Sequence, residues 1–202
     1  MPDWIIWAIG ALGYAGFLGW YQNWRGPLTP AEIDDAIQKL AQGSAGTVNS
    51  LDDIEDFLRA DDGKEFIMVN LVKLHPGKVA DPETGSPDRA ATVLARYTGP
   101  FTKALMRRGG HPAFAARKVG PYVDAWNTPD DPGWTIAGFM RYRSRRDMVA
   151  LATDPRFSAI HAFKIAAIAE TYSFPSQILM GLHMSPRYWV GLALALICAL
   201  VS

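Results

Sequence analysis

The spacing of hydrophobic residues changes partway through residues 133–170. Residues 133–143 alternate with a period of two, which predicts a strand, and the residues after them keep an apolar stripe of helical period. Ser144 with Asp147 three positions later is typical of a helix N-terminus, and Asp154-Pro155 predicts a second helix start. One strand followed by two helical segments therefore forms the centre of the predicted fold.

Apolar runs of other lengths predict the elements around this centre. Residues 66–74 read FIMVNLVKL and are apolar on both faces apart from Asn70 and Lys73, which predicts a buried strand. Residues 88–108 predict a helix that Gly99-Pro100 kinks or restarts. Weaker strands are expected at residues 112–119 and at residues 171–174, where Pro175 ends the second, and loops are expected at residues 75–87 and 120–131.

The order of these elements is strand, helix, strand, strand, helix, strand. That order predicts an α+β domain of the ferredoxin-like βαββαβ type, with a four-stranded antiparallel sheet and helices on one face. The strand at residues 66–74 is apolar on both sides, so the face of the sheet without helices also needs a cover. We expect a second copy of the chain to supply it, which predicts a homodimer through the sheet face.

Both ends of the chain are strongly apolar. Residues 4–21 contain no charged side chain and have the length of a bilayer-spanning helix, with tryptophans towards both ends. A ridge formed by Ala11, Ala15 and Gly19 suits close packing against a second copy of the chain or another membrane protein, although a glycine-rich anchor without a partner is the simpler interpretation. Residues 188–201 are wholly apolar but short for a ~30 Å hydrocarbon core, so they form either a second membrane segment or a surface helix.

The predicted elements divide the chain into four segments. Two short helices with N-terminal caps at Thr29 and Ser50 follow the first apolar run, and residues 43–49 between them are a predicted loop. We predict an N-terminal transmembrane helix in residues 1–25, a helical linker in residues 26–62, the α+β domain in residues 63–177 and a C-terminal apolar membrane segment in residues 178–202.

The few charges beside the apolar ends indicate an orientation in the membrane. Asp3 precedes the first run, Arg25 follows it, and Arg187 precedes the second run. By the positive-inside rule, the globular domain then lies in the cytoplasm and is held to the membrane at both ends. A cleaved signal peptide is a weaker explanation of the first run, because no basic region precedes it.

Composition and motifs limit the classes of function. Twenty Lys and Arg balance twenty Asp and Glu, which argues against a nucleic-acid partner, and the single cysteine cannot form an intrachain disulfide. The sequence contains no HExxH, GxSxG, Walker or paired-cysteine motif. No metal site and no required cofactor are predicted, and whether the protein is an enzyme stays open. The histidines, which have no metal-binding spacing, are His75, His111, His161 and His183.

Six side chains are candidates for a ligand pocket, and most have a structural alternative. Asn70 interrupts an apolar strand, so its amide either binds a ligand or satisfies the local backbone. His111 follows a glycine turn and His161 lies on a predicted helix, where an imidazole could act as acid or base but is more commonly hydrogen-bonded in a core. Arg141 could hold a carboxylate or phosphate, and a salt bridge to an acidic neighbour explains it equally well. The candidates are Asn70, Tyr97, His111, Phe139, Arg141 and His161.

Residues 61–175 also resemble a known superfamily. The landmarks are the strand at residues 66–74, Tyr97 and Gly109-Gly110 around the first helix, Tyr142-Arg143-Ser144 at a strand end, Asp154 to Phe157 and Ala166-Ala167. This pattern is similar to the dimeric α+β-barrel superfamily, in particular to a bacterial family of unknown function, DUF 1330. The resemblance implies two sheets paired into a barrel with a pocket between sheet and helices. Because haem-degrading monooxygenases belong to the superfamily, it also allows haem as a cofactor.

Two functions follow, and the apolar ends, which most members of the superfamily lack, bear on both. The first is a membrane-anchored dimeric barrel, in a bacterial inner membrane, that binds a small apolar or aromatic molecule and converts it by an oxygenase- or isomerase-type reaction if it is an enzyme. The second is a non-enzymatic accessory or assembly subunit of a membrane complex, with the barrel as dimerisation module and the glycine-rich helix as contact to a partner protein.

Overall fold

The computed structural model describes residues 2–43, 50–128, 131–181 and 184–202 and shows a mixed α+β protein. His183 and parts of two predicted loops, residues 44–49 and 129–130, lie outside the described residues. The helices are α1 (Asp3–Tyr21), α2 (Pro30–Gln42), α3 (Leu51–Arg59), α4 (Ala90–Arg107), α5 (Arg145–Ala152), α6 (Pro155–Ala167) and α7 (Pro186–Val201). The strands are β1 (Phe66–Leu74), β2 (Lys78–Ala80), β3 (Pro87–Arg89), β4 (His111–Arg117), β5 (Ile136–Tyr142) and β6 (Ile168–Ser176).

Four strands form one antiparallel sheet in the order β4-β5-β1-β6. β1 lies inside the sheet, where Val69 pairs with Phe139 of β5 on one side and with Phe174 of β6 on the other. β4 and β6 are the edges, and the pairing of β4 with β5 shifts register after Pro112. The predicted α+β class and the four-stranded antiparallel sheet are therefore confirmed.

Helices α4, α5 and α6 pack on one face of this sheet. Phe66 of β1 lies in a buried cluster with Leu105 of α4, Leu151 of α5 and Phe157 of α6. Burial of each such large apolar side chain contributes about 1.5–3 kcal/mol, so this layer is a main source of stability. A second cluster joins α2 and α3 to α5 and consists of Ile33, Ala36, Leu58 and Val149.

The predicted helix starts are present together with their capping hydrogen bonds. Asp147 N donates to Ser144 Oγ over 3.1 Å at the start of α5, and Arg156 N donates to Asp154 Oδ1 over 3.0 Å at the start of α6. Thr29 caps α2 in a reciprocal capping box. Local side chain to backbone bonding, which a single sequence reveals, thus sets where these helices begin.

The loop predicted at residues 75–87 contains a short hairpin instead. β2 and β3 pair antiparallel, with Val79 opposite Asp88. The carboxylate of Asp81 holds the turn because it accepts from the backbone N–H groups of Glu83 at 2.9 Å and Thr84 at 3.1 Å. Strands of three residues are too short to show a hydrophobic alternation, which is why the sequence pattern missed them.

Two prolines interrupt the secondary structure less than the sequence predicts. α4 continues through Pro100 without a restart, and β6 continues through Pro175. β6 is an edge strand, so a residue without a backbone N–H is tolerated there. In α4 the following Phe101 and Leu105 pack in the core, which offsets the hydrogen bond that Pro100 removes.

The two apolar helices, α1 and α7, pack against each other in antiparallel fashion. Gly10 of α1 lies so close to Cys198 that an added Cβ would be 2.5 Å from its sulfur, and Gly191 of α7 faces the ring of Tyr14 in the same way. Tyr14 Oη donates to the carbonyl of Arg187 over 2.6 Å. In the part of the chain that the structure describes, α1 is the one helix long and apolar enough to cross a bilayer, and α7 has 16 residues.

The small-residue ridge predicted for membrane packing is not the surface that meets α7. Ala11, Ala15 and Gly19 are exposed, and an added Cβ at Gly19 would meet nothing within 4 Å. Gly10 provides the close approach instead. The contact of this ridge with another membrane protein stays a prediction.

Candidate functional site

The face of the sheet opposite the helices is rich in aromatic side chains, and we call it the open face. Side chains alternate along a strand, and every second residue of β1 faces the helices. The residues between them, of which Val69 is one, point to the open face. Phe139 lies on the same face, and the centre of its ring is 5.7 Å from the centre of the Phe114 ring on β4. The aromatic residues of the open face are Phe114, Phe139, Tyr172, Phe174 and Trp134, the last packed edge-on against Tyr172.

Several of these aromatic rings remain exposed to solvent. Phe114 on β4 is 54% exposed, Tyr172 on β6 is 69% exposed, and Phe174, also on β6, is exposed as well. Single exposed apolar residues are common on protein surfaces, whereas a contiguous aromatic patch marks a surface that binds something. The open face is therefore the candidate binding surface of the sheet.

One end of the open face is closed by the C-terminal end of α1. Tyr21 is buried there, and the guanidinium carbon of Arg141 lies 3.8 Å from the centre of its ring. The imidazole of His111 also stacks on the Tyr21 ring, and His111 Nε2 lies 3.2 Å from Tyr21 Oη. Glu65 accepts from Arg141 Nε over 2.8 Å and also pairs with Arg187 at the start of α7. These contacts connect both apolar helices to the sheet.

Arg141 has its donors engaged in this junction. It is 3% exposed and donates to the carbonyls of Gly109 and Tyr21 as well as to Glu65. Arg143, two residues further on, donates to the carbonyl of Trp20 over 2.7 Å. Of the alternatives that the sequence left open for Arg141, the salt bridge to an acidic neighbour is the one that the structure contains.

A second group of candidates lies on the other side of the sheet, between α4 and α6. The rings of Tyr97 and His161 are 6.1 Å apart, and Lys164 Nζ lies 5.8 Å from the centre of the Tyr97 ring. His161 Nδ1 is buried and has no hydrogen-bond partner among the described residues. This leaves an uncommitted proton donor or acceptor inside a mostly apolar layer.

Burial controls the protonation states in this group. It raises the pKa of Tyr97 to about 12 and lowers the pKa of Lys164. Burial also lowers the pKa of His161, and the positive charge of Lys164 lowers it further. Burial is the main cause of the raised pKa of Tyr142, and the nearby Tyr97 raises it further. At neutral pH the group therefore holds a neutral imidazole beside a neutral phenol.

Asn70 is satisfied by its immediate surroundings. Its Nδ2 donates to the carbonyls of Met68 at 3.0 Å and Gly138 at 3.3 Å, and its Oδ1 accepts from Ser173 Oγ at 2.8 Å. Asn70 lies on the side of β1 that carries Phe66, and thus on the helix side of the sheet. The structural alternative for this amide is the one that the geometry favours.

The sheet thus separates the six predicted residues into two groups. His111, Phe139 and Arg141 share the open face, whereas Asn70, Tyr97 and His161 lie on the helix side. Two shallow depressions, of about 350 and 470 Å³, are lined by other residues around the β2–β3 hairpin and the loop before β5. The described residues contain no cluster of three or more His, Cys, Asp or Glu that could hold a metal.

Sequence reasoning missed three residues that the structure makes central. Glu65 and Tyr21 form the junction with Arg141, and Lys164 joins Tyr97 and His161. A polar residue next to a buried strand was the available signal for Glu65, and an aromatic residue at the end of an apolar run was the signal for Tyr21. Neither signal names a partner, since the two residues meet only through the folded sheet.

Comparisons with known proteins support the fold. No family model matches the chain, and no curated protein matches it. Among solved structures, RPA0582, a protein of unknown function from Rhodopseudomonas palustris, is similar with a TM-score of 0.56 and 20% identity, over 66% of this chain and 96% of that chain. A structure of methylated RPA0582 gives a TM-score of 0.54 and 22% identity, over 67% of this chain and 96% of that chain. At these identities the similarity shows a shared fold and carries no activity.

Proposed function

We propose that this protein is a membrane-anchored α+β-barrel dimer that binds a small apolar or aromatic molecule. The observation that carries the proposal is the open face, whose aromatic side chains stay exposed next to the end of α1. Pairing of two open faces would bury both patches and enclose a lining of aromatic rings. Such a lining suits ligands that stack or fill apolar space.

The strand order supports the finer assignment of the fold. In the order β4-β5-β1-β6, the two edge strands are the second and fourth of the main sheet in sequence, and the helices that follow β1 and β5 lie on one face. This is the arrangement expected of the ferredoxin-like, dimeric α+β-barrel topology. Membership of a DUF 1330-like family is part of the same proposal.

The surroundings of α1 support anchorage in a membrane. Only 11% of its apolar window is buried, whereas the core helix of a soluble protein would be mostly buried. α7 covers one side of α1, and the carbonyls of Tyr21 and Trp20 at the C-terminal end of α1 accept hydrogen bonds from Arg141 and Arg143. With Arg25 and Arg187 beside the two apolar helices, the positive-inside rule favours a globular domain in the cytoplasm. The bacterial inner membrane is part of the proposal through the resemblance to a bacterial family.

Haem, which the resemblance allows, does not fit the described side chains. Neither depression reaches His111 or His161, and the His161 ring packs against Tyr97. We assign no chemical step to haem. We assign no acid–base role to His161 and Tyr97 in an oxygenase- or isomerase-type reaction, because they lie on the helix side, across the sheet from the open face.

A binding experiment on the full chain tests this function. The chain would be held in lipid nanodiscs and titrated with haem and with a fluorescent naphthalene probe, with empty nanodiscs subtracted. We expect saturable binding of the naphthalene probe that Phe114→Ala weakens and that Ile165→Ala, at an exposed position on α6, leaves unchanged. Absence of saturable binding, or equal weakening by both variants, would argue against the proposal.

A second function, an accessory subunit of a membrane complex, is favoured by a specific observation. Three candidate ligand residues, Asn70, His111 and Arg141, already make structural contacts within the chain. A stoichiometric partner protein that remains bound through purification in mild detergent would support this alternative. An isolated homodimer that binds the probe would reject it.

A further inference from the structure

The C-terminal turn of α4 is fixed against the end of α1. Trp20 Nε1 donates to the carbonyl of Arg107 over 3.1 Å. The next turn of the chain contains Gly109, at a φ of +73°, where an added Cβ would lie 2.8 Å from the carbonyl oxygen of Trp20. The backbone of α4 at Arg107 therefore sits at the same height along α1 as the indole of Trp20.

That height is the membrane surface if α1 spans the bilayer. Trp20 is the next-to-last residue of α1, and Trp24 follows shortly after with 72% of its surface exposed. Tryptophans at the end of a spanning helix lie at the level of the lipid headgroups. The large apolar side chain of Met106, next to Arg107, is exposed at the same place. The last turns of α4 consequently lie where headgroups would surround them.

Two positive charges on these turns form no ion pair with the acidic side chains that the structure describes. Lys103 and Arg107 are exposed, lie four residues apart on the same side of α4, and form no ion pair within the described residues. Like charges at this spacing repel each other, so an anion placed between them would be stabilised. Other basic side chains in this region are paired, Arg25 with Glu32, Arg143 with Asp147, and Arg187 with Glu65.

We propose that Lys103 and Arg107 bind the headgroup phosphate of an anionic phospholipid, with Trp20 and Trp24 beside its less polar part. This inference rests on the membrane anchorage put forward under the proposed function. The ligand class follows from the charges, because two unpaired cations at headgroup depth favour a lipid with a net negative charge over a zwitterionic one. The tryptophans supply the apolar contact with the glycerol and the upper acyl chains.

The preference for anionic lipid can be measured on the full chain in vesicles. Phosphatidylcholine vesicles would contain a brominated phosphatidylglycerol or, in a parallel series, a brominated phosphatidylcholine, and quenching of tryptophan fluorescence would report the lipid beside the protein. One Lys or Arg near an anionic surface is worth about fivefold in affinity. We expect wild type to prefer phosphatidylglycerol and Lys103→Gln with Arg107→Gln to lose at least about fivefold of this preference.

A matched variant separates this site from a general effect of charge. Lys78→Gln with Arg89→Gln removes the same charge at the other end of α4, where both side chains are exposed. This control should keep the wild-type preference, and so should Lys103→Arg. The circular dichroism of all variants should match, because every changed side chain is on the surface.

The possible results separate the site from the anchorage. An equal preference in wild type and in Lys103→Gln with Arg107→Gln overturns the inference, as does a wild type without any preference. If carbonate extracts the chain from the vesicles, the proposed membrane anchorage is wrong. The lipid site, which rests on that anchorage, is then wrong as well. Loss of preference in the α4 variant, with retention in the control, supports the proposed headgroup site.

Discussion

At the scale of single residues, the guanidinium of Arg141 joins α1 to the sheet. It stacks on Tyr21, donates to the carbonyl of that residue and pairs with Glu65. We expect Arg141→Gln to lower the free energy of unfolding by about 3 kcal/mol, because removal of one partner from a buried pair leaves the other groups unsatisfied. Thermal unfolding of the full chain in mild detergent measures this loss.

Arg117→Gln is the matched control for that change. Arg117 ends β4 on the exposed edge of the sheet, so its replacement should alter the free energy of unfolding by no more than about 0.5 kcal/mol. Equal stability of the Arg141 variant and wild type would contradict a structural role for Arg141 and return it to the ligand candidates.

Glu32 predicts a dependence of stability on pH. Its carboxylate accepts two hydrogen bonds from Arg146, at 3.0 and 2.9 Å, which, with the backbone N–H of Thr29, lower its pKa from 4.5 to about 2. Because the folded-state pKa is the lower one, this stabilisation is present above about pH 4.5 and is lost as the pH falls towards 2. We expect Glu32→Gln to destabilise the protein by about 1–2 kcal/mol at pH 7, with a smaller difference at pH 3.

Glu170→Gln provides the comparison for Glu32. Glu170 pairs with Lys73 at 2.8 Å, but its side chain is largely exposed, so the loss should stay below about 1 kcal/mol. Thermal scans of both variants and wild type at pH 7, 4 and 3 measure the differences. A Glu32→Gln penalty that is as large at pH 3 as at pH 7 would show that its charge is not the cause.

Pairs of residues mark the limit of what a single sequence can predict at this scale. The hydrogen bond between Asp147 and Ser144 spans three residues and was predicted from their spacing. The pair of Arg141 with Glu65 spans 76 residues and depends on the register of β1 and β5. The candidate set therefore contained residues of the right chemical type, whereas their partners required the folded sheet.

At the scale of elements, a helix or strand could be predicted where its hydrophobic pattern is long and regular. β1 has nine residues and a continuous apolar run, so its bounds follow from the sequence. The hairpin of β2 and β3 has three residues in each strand, and its stability comes from the turn at Asp81. β6 extends past its predicted end, because an edge position, which no local pattern reveals, tolerates Pro175.

The packing of α1 on α7 predicts the reactivity of the single cysteine. Cys198 is buried against Gly10, so we expect slow labelling by N-ethylmaleimide in vesicles. Gly10→Leu should accelerate labelling about tenfold, because over-packing costs about 1–3 kcal/mol and separates the helices. Gly13→Leu is the control, since an added side chain there meets nothing within 4 Å. Slow labelling of all three proteins would contradict the contact.

At the scale of the whole molecule, the two layers of the domain differ in how well they are covered. The helix side of the sheet is filled by α4, α5 and α6, and the open face is closed at one end by Tyr21. The rest of the open face presents aromatic rings on three strands. A second surface on the open face would cover these exposed rings, and this is the point that the predicted dimer and the proposed ligand have in common.

The dimer can be tested by placing a charge on the open face. Phe114→Glu would bury a carboxylate in a paired face, so we expect a dimer in wild type and a monomer in this variant, measured by light scattering in mild detergent. Ile165→Glu places the same charge on the exposed surface of α6 and should remain dimeric. If Phe114→Glu is a dimer and a variant with leucines at Ala11, Ala15 and Gly19 is a monomer, the copies associate through α1. The aromatic face would then be free for a different partner, and the ligand-binding barrel would not form.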